Sequence, residues 1–76
     1  MTRQQRNRMN WLLSAYLGWD IQERKPGWWA AVDRHENRVI HGTQADTLAE
    51  CEARILPVAE QTAARISERF AAKQLV

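Results

Sequence analysis

Two tryptophans in succession, Trp28 and Trp29, directly follow a Pro26-Gly27 turn, and this doublet limits the folds open to the chain. On a β-strand successive side chains point to opposite faces, so both indoles cannot enter one core. A sheet that carries them has large aromatic surface on each side. The chain is 76 residues long, and a domain of that size buries only about 60% of the surface its unfolded form exposes. Small domains make up the deficit with disulfides, a metal or association. Cys51 is the lone cysteine, which excludes an internal disulfide. Cys51, His35 and His41 fall short of the four ligands and paired spacing of a structural zinc site. No metal or cofactor is expected, and association is the remedy left.

The order of elements follows from periodicity and punctuation. Met9, Leu12, Leu13, Tyr16 and Leu17 recur at intervals of three and four, which predicts a first helix within residues 2–17. Thr2 with Gln5 fits a capping box, while Asn7 or Asn10 would cap a shorter helix, and Gly18 suits the stop. Trp11 and Trp19 are expected in the core or at the seam between helix and sheet. Three strands follow, over residues 19–25, 28–33 and 38–41. Pro26-Gly27 reads as a type II turn, and Asn37 as the left-handed residue of the second reversal. Reversals this short make an antiparallel meander. Thr47 with Glu50 is a second capping box, with Asp46 an alternative cap. From Leu48 the apolar spacing is helical to the tail. Pro57 either lies within one bent helix or separates residues 47–56 from 58–73. The prediction is a single small α+β domain over residues 1–76, α-β-β-β-α, with both helices on one sheet face and a flexible basic segment at residues 1–8.

An unbroken helix over residues 47–73 would measure about 40 Å, against about 17–20 Å for short strands. Ala63, Ile66 and Phe70 would then run past the sheet and must pack on the first helix or on another chain. A homodimer with Ala59, Ala63, Ile66 and Phe70 as its seam is the expectation. The opposite sheet face has no evident cover. Trp28 or Trp29 is therefore the expected anchor for a protein partner, with Arg24, Lys25, Arg34 and Arg38 as the polar rim.

Charge and chemistry narrow the function. The net charge is only +2, but Arg3, Arg6 and Arg8 precede the first acidic residue, Asp20. These arginines are the candidate contacts of the alternative reading, a nucleic-acid-binding accessory protein. A thiol–imidazole pair of Cys51 and His41 lacks a third orienting group, and Cys51 sits on the apolar stripe, so an enzyme is not expected. No signal peptide or apolar span of membrane length is visible, and the single cysteine suits a reducing, cytoplasmic setting.

The α-β-β-β-α order resembles that of double-stranded-RNA-binding domains. That family contacts phosphate through a lysine-rich start to its second helix. Here Asp46-Thr47-Leu48-Ala49-Glu50 is acidic and lysine-free, so the resemblance does not imply RNA binding. Residues 19–60 are similar to the three-strand-plus-helix part of HicB-type antitoxins, with residues 42–48 standing where a Gly-Asp-Thr-Leu-like run opens the helix. The size and layout are also similar to those of phage or mobile-element accessory proteins. The functional expectation is a non-enzymatic interaction module that inhibits or regulates a host or defence protein by stoichiometric binding.

Overall fold

The first helix starts at Thr2, whose γ-oxygen accepts from the Gln5 N–H at 3.1 Å while Gln5 Oε1 accepts from the Thr2 N–H at 2.8 Å. The computed structural model describes residues 1–74, with side chains through residue 71. In it, helix α1 (Arg3–Trp11) passes directly into a π-helical segment (Leu12–Leu17). The wider turn shows in the bond that ends it. The Gly18 N–H donates to the Leu13 carbonyl, five residues back, at 2.8 Å. Gly18 then leaves the helix in the left-handed region, at φ 72°. The Ser14 hydroxyl also donates to the Asn10 carbonyl at 2.7 Å, a back-bond that bends helices.

Strands β1 (Trp19–Lys25), β2 (Trp28–Asp33) and β3 (Arg38–Val39) form the antiparallel meander, in the order β1-β2-β3. Gly27 takes the positive φ that the first reversal requires. In the second, Asn37 is left-handed at φ 52°, and Asp33 Oδ1 accepts from the backbone of His35 and Glu36. β3 is shorter than the sequence suggests, because the chain turns at Gly42 and comes back to β2. Trp29 and Ala45 exchange both backbone hydrogen bonds, at 2.8 and 2.9 Å. Thr43 fills the space between this pair and β3. Its hydroxyl donates to the Ile40 carbonyl at 2.7 Å and accepts from the Ala31 N–H at 3.0 Å.

The long helix α2 (Leu48–Gln74) is continuous through Pro57. Thr47 caps it, its hydroxyl accepting from the Glu50 N–H at 3.2 Å. Pro57 removes the bond to the Ala53 carbonyl. Ala53 and Pro57 are both exposed, so the carbonyl that the ring leaves open stands on the solvent side of the helix.

The core lies between the helices and one sheet face. Met9, Leu12 and Leu13 meet Trp19 and Ala31 of the sheet and Cys51, Ile55, Ala59 and Ala63 of α2. Alanines at 59 and 63 let α2 come close to the first helix. Arg6 reaches Glu52, Arg8 reaches Glu60, and Tyr16 reaches Ser67, so the two helical elements run in the same direction.

The second sheet face exposes little grease, and the start of α2 approaches it at Trp28. Register places Asp20 opposite Val32 and Gln22 opposite Ala30. Ala30 and Val32 are fully buried and stand apart from the main core. Arg24 extends along this face far enough to donate to Asn37 Oδ1 at 3.1 Å.

Candidate functional site

The tryptophan doublet divides between the faces, and neither indole is the most exposed aromatic. Trp29 packs against the main core, and Trp28 lies half-buried on the other face in a hollow of about 130 Å³ bordered by Gln44, Asp46, Glu50 and Arg54. The proposed rim is partly committed elsewhere. Arg34 contacts the carbonyls of Ser14 and Gly18 at the end of the π-helical segment and pairs with Asp20 at 3.6 Å. Arg24 is held by Asn37, whereas Arg38 makes only a well-exposed pair with Glu36 at 3.3 Å and stays available. Lys25 is exposed beside the hairpin turn.

The largest exposed aromatic surfaces lie instead on the helical layer. Trp11 is 51% exposed, Tyr16 39% and Phe70 63%. The expectation that Trp11 belongs to the core or the seam is thus overturned. Trp11 and Tyr16 stack with ring centroids 5.7 Å apart and planes 20° from parallel. The π-helical turn makes that contact, because residues five apart, which diverge on an α-helix, come onto one side when each turn holds an extra residue. The Arg8 guanidinium sits 5.4 Å from the Trp11 centroid. Tyr16 Oη lies 3.5 Å from Ser67 Oγ, and Phe70 follows less than one turn later on α2.

The four-residue dimer seam needs correction. Ala59 and Ala63 are buried within the chain's own core, so they cannot be its contact surface. Ile66 is half-buried, and only Phe70 is widely exposed. The apolar stripe of α2 is therefore covered by the first helix up to Ala63 and emerges beyond it.

The amino-terminal arginines are corrected too, since residues 3–8 form the opening turns of α1 rather than a loose basic arm. Arg6 Nη1 donates to Glu52 Oε2 at 2.6 Å, and Glu52 is only 9% exposed. A carboxylate that deeply placed needs its cation. Arg8 Nε donates to Glu60 Oε1 at 2.8 Å. Arg3 makes no ion pair among the described residues. Two of the three proposed phosphate contacts are thus already neutralised.

The hydrogen bond from Arg8 holds the Glu60 carboxyl below the usual carboxylate range. A carboxyl with a lowered folded-state pKa contributes stability above its unfolded pKa and loses it as pH falls through the folded value. Thermal unfolding between pH 6 and pH 3 should therefore show a steeper loss in the parent than in Glu60→Gln, beginning near the unfolded glutamate pKa of about 4.3. Parallel curves would mean that the ion pair does not persist in solution.

Cys51 is fully buried, its thiol donating to the Thr43 carbonyl at 3.2 Å. Burial, then Glu52, pushes the thiol up, with Arg54 opposing. That is the reverse of an activated nucleophile. Among the described residues no three His, Cys, Asp or Glu side chains gather where they could hold a metal ion, and no helix is long and apolar enough to cross a membrane. The chain matches no protein-family model, no curated protein and no solved structure.

Proposed function

We propose that this chain is a non-enzymatic protein-binding module whose contact surface is the aromatic side formed by Trp11, Tyr16 and Phe70. The observation that carries the reading is the pre-stacked Trp11–Tyr16 pair with Arg8 over the indole. Tryptophan, tyrosine and arginine dominate binding energy at protein interfaces. Here their relative positions are set before any partner arrives, which lowers the entropy lost on binding. A stoichiometric inhibitor or regulator is the most concrete form of such a module.

The double variant Trp11→Ala/Phe70→Ser should keep its fold by circular dichroism, because both side chains are more than half exposed. It should lose the protein that the parent retains from a host lysate, while Trp28→Ala keeps it. Retention of the same protein by the double variant would reject the surface. The nucleic-acid alternative makes a contrary prediction, a steep loss of binding between 50 and 200 mM salt.

Self-association is a second reading, supported by the α2 stripe that emerges at Ile66 and Phe70 past its intramolecular cover. Under it, Phe70→Asp converts a dimer to a folded monomer in sedimentation velocity. A parent that sediments as a monomer at high concentration removes this second reading and leaves the first.

A further inference from the structure

A groove of about 700 Å³ opens between β3 and α2, on a part of the surface separate from the stacked aromatic pair. That volume falls within the range of ligand pockets. One wall is Val39, Ile40 and His41, the other Val58, Thr62 and Arg65, with Trp19 contributing from β1 and Arg38 at the start of β3. The apolar members are flanked by two arginines and a histidine, and among the described residues no acidic side chain lines the groove.

The backbone of β3 adds a second feature. Ile40 donates to the Ala31 carbonyl, and Arg38 stands opposite Asp33. In an antiparallel ladder alternate residues turn their polar groups away from the neighbouring strand. Val39, between these two, therefore directs its N–H and C=O outward, and β3 is the outer strand here. An edge strand beside a helix is a place where an extended segment can join a sheet, with backbone bonds giving affinity and wall side chains giving selectivity.

We infer that this groove takes an extended acidic peptide segment of a protein partner, added as a strand beside Val39, its carboxylates meeting Arg38 and Arg65. Charge complementarity selects the occupant. Two exposed cations with no carboxylate in the lining favour an anionic segment, and the Trp19, Ile40 and Val58 surface favours apolar residues alternating with the acidic ones. The Arg38–Glu36 pair is no obstacle, since both side chains are well exposed and such pairs are weak. This contact is additional to the aromatic surface and stands without it.

The test is fluorescence anisotropy with a labelled ten-residue peptide alternating glutamate and valine. It should bind saturably, and Arg38→Glu/Arg65→Glu should weaken it by about tenfold or more. A peptide with lysine in place of glutamate should not bind, nor should one with alternate backbone amides methylated. In the parent, nuclear magnetic resonance shifts on titration should centre on the amides of Val39 and His41, a measurement independent of whether the charge-reversal variant folds. Trp11→Ala should bind the peptide unchanged, which separates this site from the proposed aromatic contact. Affinity unaltered by the double reversal, shifts centred elsewhere, or no binding at millimolar peptide would each overturn the inference. Equal or tighter binding of a ten-nucleotide oligothymidylate at the same residues would overturn it in favour of nucleic acid.

Discussion

Ile55→Ala should lower the unfolding free energy by about 2–5 kcal/mol, the range for truncating a large aliphatic side chain in a packed core. Ile55 is fully buried in the core cluster that joins the first helix, the sheet and α2. That cluster also holds Ala31, Ala45, Ala59 and Ala63, short side chains that cannot swing in to fill a cavity. The cost should thus fall in the upper part of the range. Folded domains hold only about 5–15 kcal/mol in total, and a domain this small stands low in that interval. At about 4–8 °C per kcal/mol for a domain of this size, the thermal midpoint should drop by well over 10 °C or the transition should vanish. A shift of only a few degrees, by circular dichroism, would mean that this part of the core is loosely packed.

Thr43→Val should be the second most damaging of the substitutions considered, although it changes almost no volume. The threonine hydroxyl ties β2 to the segment just after β3, giving its proton to the Ile40 carbonyl and accepting from the Ala31 N–H. Valine keeps the shape and leaves the buried Ala31 N–H without an acceptor, at a cost of about 1–3 kcal/mol. Thr43→Ser keeps the bridge and loses one methyl group, worth about 0.8 kcal/mol. The serine variant should thus be the more stable of the two, and amide exchange at Ala31 should accelerate only in the valine variant. If valine and serine rank the other way, water or a shifted carbonyl replaces the hydroxyl.

The features legible in the sequence are those decided within a few residues. Thr2 and Gln5, three apart, satisfy each other's backbone, and Thr47 caps α2 in the same local manner. Asn37 takes the left-handed turn that its short polar side chain tolerates. The strand order follows because each reversal is too short for a crossover. Continuity through Pro57 depends on both affected residues facing water, a matter of tertiary placement that spacing alone left open.

The candidate surface was less legible because it depends on partners distant in sequence and on an irregular turn. Applying a period of 3.6 residues across residues 9–17 places Tyr16 with the apolar stripe. The extra residue per turn in the π-helical segment brings Tyr16 out beside Trp11 instead. Nothing local announces that turn except Ser14, whose back-bond to Asn10 is common in bent helices. Arg6 and Arg8 look like a basic arm because their acidic partners lie 46 and 52 residues away. Ala59 and Ala63 look like a dimer seam for a similar reason, since the first helix that covers them is remote along the chain. The doublet at 28 and 29 suggests an aromatic anchor. The return of the chain to pair Ala45 with Trp29 helps enclose one indole, and the hollow beside Asp46 and Glu50 half-encloses the other.

The position of β1 at the opposite border of the meander bears on how the protein behaves when crowded. A bare border seven residues long is a template on which other copies can stack into fibrils. Four of its residues, Asp20, Glu23, Arg24 and Lys25, carry charge, and these act as gatekeepers that make runaway polymerisation unfavourable. The same border, which pairs with no further strand among the described residues, is thereby kept from recruiting one indiscriminately.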